Sequence, residues 1–177
     1  MGDPRLYRKA EGVKEFGGGE LTGILQDMFD TMEALDGVGL AAPQIGIPLR
    51  IVIFSVDQNP RYPEEESVPR TILINPIIVP QGNELESKWE GCLSVPKMRG
   101  LVERNSHILY SGFDENQNPI KRDADGFHAR VVQHEVDHLD GILYPMRIKD
   151  IRNFGYESVL FHTDSDQDLP VAASHPD

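Results

Sequence analysis

The stretch QHEVDHLDG, Gln133 to Gly141, places His134, Glu135 and His138 in the pattern H-E-x-x-H. Four residues make about one turn of an α-helix, so both imidazoles leave the same face and can share one metal ion. Glu135 lies roughly 100° round the helix from His134, within reach of a water on that ion. Upstream, Phe127 and Val131 precede His134 and His138 at i, i+4, i+7 and i+11 spacing, so the histidines continue an apolar, inward face. The spacing predicts a helix from about Asp125 to Leu139, stopped at Gly141. A single histidine is more often an ordinary surface or core residue. A chance match to the whole pattern in a chain of this length is on the order of one per cent.

Outward from that helix the pattern changes. A second stripe, Leu21, Ile24, Leu25, Met28, Phe29, Met32 and Leu35, predicts an amphipathic helix from Glu20 to about Asp36, with Gly37 in DGVG as its stop signal. Between the helices lie segments rich in β-branched residues, LRIVIFSV (Leu49 to Val56) and TILINPIIV (Thr71 to Val79). They are separated by the Pro- and Glu-rich loop NPRYPEEESVP. GLVERNSHILYSGF (Gly100 to Phe113) reads as one long strand or two, DENQNP as a turn, and IKRDA as the returning strand. A helix, a run of strands and a helix point to an α+β fold, with mixed or antiparallel sheets around the central helix that carries H-E-x-x-H. Residues 1–162 are expected to form a single domain. Residues 163–177, polar and proline-containing, are expected to be a disordered acidic tail.

A catalytic metal site usually takes three protein ligands and keeps one position open. A metzincin-like continuation would need a third histidine where Tyr144 stands. A thermolysin-like site would draw a glutamate from further along; Glu157 is in range, but RNFGYES around it has no helical stripe. The remaining soft donor is Cys92, the single cysteine, in WEGCLSVP (Trp89 to Pro96). Taken alone, such a thiol is more often a small buried hydrophobe. Beside an incomplete H-E-x-x-H set it reads as the third ligand, suited to zinc or ferrous iron alike. A structural metal would need a fourth ligand, and His107, His128, His162 and His175 lack suitable company.

GVGLAAPQIG (Gly37 to Gly46) opens with G-x-G-x-x-A, the alanine form of a dinucleotide fingerprint. That motif needs a strand before it and a helix after; here a helix precedes and a strand follows, so nucleotide binding is rejected. Gly37 and Gly39 instead leave backbone open to a peptide, and Gln44, behind Pro43, can donate to a developing oxyanion.

GVGLAAPQ, EGCLSVP and QHEVDHL, in this order, resemble the three signature motifs of the peptide deformylases, and DPRLYRKA resembles that family's opening segment. The resemblance covers about Asp3 to Met146. It implies removal of the formyl group from the N-formylmethionine of newly made polypeptides. It also implies one divalent metal on Cys92, His134 and His138, typically Fe2+, with Zn2+, Ni2+ or Co2+ as other ions of the right kind. Glu135 would be the general acid/base, Gln44 and the Leu93 N–H would take up the oxyanion, and Val38, Gly39 and Gly91 would hold the peptide as an added strand. Phe127 and Val131 are candidate walls for the methionine side chain. Some members carry a long basic C-terminal helix implicated in ribosome docking; here RIKDIRNFGYESVLF and an acidic tail stand in its place. The alternative open at this point is an H-E-x-x-H zinc endopeptidase.

The bulk composition fits this reading. Acidic residues outnumber basic ones 29 to 17, and the pI of about 4.8 argues against direct nucleic-acid binding. With one cysteine there is no internal disulfide, which suits a reducing compartment. No apolar run reaches membrane-spanning length, and no signal-peptide core is seen. The chain is expected to be cytoplasmic and bacterial-type, or in an organelle matrix, and monomeric.

Overall fold

The computed structural model describes residues 1–56 and 66–161. The loop NPRYPEEESVP lies mostly, and the tail from 163 wholly, outside the described residues. The chain runs through a 3₁₀ turn (Pro4–Tyr7), α1 (Gly19–Ala34), β1 (Gly39–Ala41), a second 3₁₀ turn (Ala42–Ile45), β2 (Ile51–Val56) and β3 (Val68–Pro80). It continues with β4 (Leu85–Cys92), β5 (Val95–Asn105), β6 (His107–Phe113), β7 (Pro119–Asp125) and α2 (Gly126–Leu139). Two further 3₁₀ turns (Tyr144–Arg147 and Ile151–Asn153), β8 (Phe154–Tyr156) and α3 (Glu157–Leu160) follow.

The strands form two sheets, β1-β2-β3-β6-β7 and β4-β5-β8. Every named strand pair is antiparallel. The fold is α+β, as the order of elements requires. GLVERNSHILYSGF is two strands belonging to different sheets. The crossing is at Ser106, whose N–H donates to Glu84 O (3.0 Å) and whose carbonyl accepts from Gly126 N–H (3.0 Å).

Helix α2 lies between the sheets. Its apolar face, with Val131, Val132 and Leu139, shares one core with Val52, Phe54, Ile108 and Tyr110 of the larger sheet. Helix α1 buries Leu21, Leu25, Met28 and Met32 with Leu40, Ile51, Ile53 and Ile74 in a second. A third holds Cys92, Val95, Val102, Leu143 and Tyr144. Fully burying one such aliphatic side chain contributes about 2 kcal/mol, so the first core fixes α2 firmly.

The helix ends explain themselves. At the end of α2, Gly141 adopts φ +73°; its N–H donates to His138 O (3.2 Å) and that of Ile142 to Asp137 O (2.9 Å). This is the paired closure that satisfies the last carbonyls. A Cβ at Gly141 would also sit 2.5 Å from Tyr7 O. At the end of α1 the left-handed residue is Asp36 (φ +50°), one position before the expected stop at Gly37. Gly37 is small for another reason, since a Cβ there would press on Met32 and Leu93 at 3.1 and 3.2 Å.

Candidate metal centre

Strand β4, the Leu93–Ser94 turn and β5 form a tight hairpin in which Cys92 pairs with Val95. The hairpin delivers Cys92 to the buried side, facing α2. There Cys92 Sγ lies 3.3 Å from His138 Nε2. One ligand atom from each of Cys92, His134 and His138 falls within 4.8 Å of the others. Among the described residues this is the single such group of three.

The ring of His134 is oriented by Glu90. A carboxylate can only accept, so His134 Nδ1–H donates to Glu90 Oε2 (2.9 Å), leaving Nε2 as the ring nitrogen open to a metal in place of a proton. Glu90 in turn accepts from Arg104 through Nε (2.8 Å) and Nη2 (2.9 Å) and from Arg130 Nη1 (2.7 Å). Arg104 also donates to Asp137 Oδ2 (2.7 Å), which Arg147 holds from outside. Burial opposes the charge on Glu90, yet His134 and Arg104 more than reverse this and hold its carboxyl well below the usual range.

The site's electrostatics favour a cation. Burial pushes His138 well below the ordinary histidine range, so it stands as a neutral lone-pair donor. Burial acts in the same sense on His134, but Cys92 and Glu90 beside it outweigh burial and draw positive charge to it. Burial raises the Glu135 carboxyl to about 7, and its Oε2 is buried with no hydrogen-bond partner. A soft thiol, one imidazole oriented by Glu90, a second buried neutral imidazole and an unpartnered carboxylate oxygen fit one divalent ion with an exchangeable position.

Gln44, on the 3₁₀ turn after β1, points its amide the same way. Its Oε1 accepts from Ala41 N–H (2.8 Å), which fixes Nε2 as a donor toward Cys92 Sγ (3.6 Å) and Ser94 Oγ (3.2 Å). One cavity is lined by Val38, Gly39, Gln44, Gly91, Cys92, Leu93, His134 and Glu135, with Phe127, Val131 and Trp89 completing its walls. His138 sits beneath it, 1% exposed. The residues named with the deformylase resemblance therefore come together around one cavity.

The glycines carry a second reason for being there. A Cβ at Gly39 would stand 2.5 Å from Glu135 Oε1, and one at Gly91 would stand 2.7 Å from Arg99 Nη1. Their open space is taken by protein side chains, while their backbones still border the cavity. Glu157, the alternative third ligand, accepts from Arg99 Nε (3.1 Å) and Nη2 (2.7 Å) and lies outside the Cys92–His134–His138 group. Sequence reasoning missed Glu90, Arg104, Arg130, Asp137 and Ser94. The available signal was a glutamate two residues before the cysteine; its partner Arg104 stands opposite Glu86 on the β4–β5 hairpin and becomes legible only once those strands are paired.

The sequence profile of the Polypeptide deformylase family matches residues 1–154. The chain belongs to this family. It is 59% identical over 161 residues to peptide deformylase 1 of Nitrosomonas europaea, covering 91% of this chain and 92% of that protein. It is 58% identical to peptide deformylase 1 of Bordetella pertussis over the same shares. Its fold is similar to a class I type b peptide deformylase of Acinetobacter baumannii with Met-Ala-Ser bound (TM-score 0.80, 38% identity, 84% of this chain and 94% of that one). It is also similar to a peptide deformylase of Synechococcus elongatus in complex with actinonin (TM-score 0.77, 37% identity, 86% and 78% covered). Like other deformylases the chain is a metal-dependent hydrolase acting on N-formylmethionine, and no helix among its described residues is long and apolar enough to cross a membrane.

Proposed function

We propose that Cys92, His134 and His138 hold one ferrous ion, and that Glu135, Gln44 and the Leu93 N–H use it to remove the formyl group from nascent polypeptides. Bound there, the ion supplies Lewis acidity and a nucleophile drawn from water near neutral pH. Glu135, raised to about 7, takes the proton at this step and hands it to the leaving amine. Gln44 Nε2 and the Leu93 N–H donate to the oxygen that gains charge as the formyl carbon becomes tetrahedral. The substrate backbone adds as a strand between Val38–Gly39 and Gly91, with the methionine side chain against Phe127 and Val131.

The observation that carries this reading is convergence. Residues from α2, β4, the Leu93–Ser94 turn and the segment around β1 line one cavity over a Cys-His-His group. The protease alternative loses its third ligand, because Glu157 is engaged by Arg99. The catalytic unit spans residues 1–162, works as a monomer in the cytoplasm, and meets its substrates near the ribosome; among the described residues the last helix, α3, has four residues.

The test is free-amine release from formyl-Met and acetyl-Met peptides, anaerobically with ferrous iron, by wild type and Glu135→Gln. Release from the formyl peptide alone, lost in the variant, is expected. Equal inactivity of both proteins on the formyl peptide refutes the reading, and cleavage of internal peptide bonds favours a protease.

A further inference from the structure

The segment after α2 returns to the site from behind. Strand β8 pairs with β5, setting Arg99 opposite Gly155 and Gly100 opposite Phe154. The next residues make two contacts with the strands that border the cavity. Glu157 Oε1 accepts from Arg99 Nε and Nη2 (3.1 and 2.7 Å), and the Arg99 guanidinium lies against Gly91, where an added Cβ would meet Nη1, Cζ and Nε at 2.7–3.1 Å. Phe161 sets its ring edge-to-face on Trp89, centroids 5.5 Å apart at 85°. Gly91 and Trp89 both line the cavity.

The burial of the ion pair is asymmetric. The Arg99 side chain is 9% exposed and that of Glu157 48%, so the carboxylate is the solvent-facing partner and covers the guanidinium. On the proposed strand addition, a peptide held along Gly91 passes close to the Arg99 guanidinium that lies against that glycine. A charge within a few ångströms of that path acts on substrate charge before ionic screening removes it.

We infer that the segment Phe154–Phe161 positions the β4 edge of the cavity, and that Glu157, by covering Arg99, keeps acidic side chains downstream of the substrate methionine from being preferred. The inference rests on the deformylase reading. Glu157 is a positioning residue here, acting through Arg99.

The test compares formyl-Met-Ala-Asp and formyl-Met-Ala-Lys peptides on the iron-loaded full chain. In Glu157→Gln the ratio of kcat/KM, Asp peptide over Lys peptide, rises about three- to fivefold at low salt, as expected for one partly screened charge. The change is carried by KM and fades at about 0.5 M salt. Glu157→Asp and the double variant Arg99→Met/Glu157→Gln restore the wild-type ratio, which a merely structural defect would not allow. Phe161→Ala raises KM for both peptides alike. An unchanged ratio in Glu157→Gln, or a change that persists at high salt or is carried by kcat alone, overturns the inference. Inactivity of the wild type on both peptides overturns the underlying deformylase reading instead.

Discussion

Replacing Glu90 by glutamine tests the buried frame of the site. The substitution preserves shape and removes one charge. Glu90 Oε1 faces Arg104 Nε and Arg130 Nη1, while Oε2 faces Arg104 Nη2 and His134 Nδ1. Whichever way the new amide turns, its NH2 group meets two donors. The side chains of Glu90, Arg104 and Arg130 are 4, 4 and 5% exposed, so water cannot repair the mismatch. Removing one partner of such a buried ionic group costs about 3–5 kcal/mol. For a chain of this size that corresponds to a fall in Tm of about 10 °C. His134 also loses the charged acceptor that orients it, which weakens metal affinity by about 10- to 100-fold. The assay is urea unfolding of the metal-free protein in chelator, followed by titration of metal into wild type and variant. Unfolding free energies within about 1 kcal/mol of each other, a typical surface-pair effect, would refute the reasoning.

Glu90 also predicts an acid response. Its folded carboxyl is held well below the ordinary value of 4.5, so the folded state binds fewer protons than the unfolded chain. The stability it contributes is complete above about pH 5 and is lost as pH falls below the unfolded value toward the folded one. Urea midpoints of metal-free protein between about pH 6 and 3 should therefore fall more steeply in wild type than in Glu90→Gln. Glu135→Gln should retain metal, measured by elemental analysis, and lose about 10²- to 10⁴-fold in kcat, the usual worth of a general acid/base. Gly39→Ala, whose Cβ would stand 2.5 Å from Glu135 Oε1, should lower kcat roughly 10- to 100-fold by displacing that carboxylate, with little change in metal content. Cys92→Ser should lose tightly held iron on gel filtration, while chelated wild type should regain activity on anaerobic addition of ferrous ion.

The parts legible in the sequence were those with a period or a fixed spacing. Helices α1 and α2, with their apolar stripes, and strands β2, β3, β6 and β7, with their β-branched runs, announce themselves because apolar burial leaves a regular pattern. His134, Glu135 and His138 are legible because one helical turn fixes their mutual geometry before any other element is placed. Strand β4 and the first half of β5 were not read. Buried positions there are held by Glu90 in β4 and Arg99 in β5, 5% and 7% exposed, so those stretches look like a polar surface. Hydropathy cannot distinguish a buried ion network from a solvated one.

By itself, then, the sequence determined the α+β order, the metal-bearing helix and which residue types could serve it, because those depend on local periodicity. Only the tertiary structure showed that Cys92, 42 positions before His134, lies beside both histidines, that Glu90 orients His134, and that Glu157 belongs to Arg99. It also decided that the space freed by Gly39 and Gly91 goes to Glu135 and Arg99. These are contacts between elements distant in the chain. They arise when two antiparallel sheets close on one helix, and no local pattern encodes which side chains then meet.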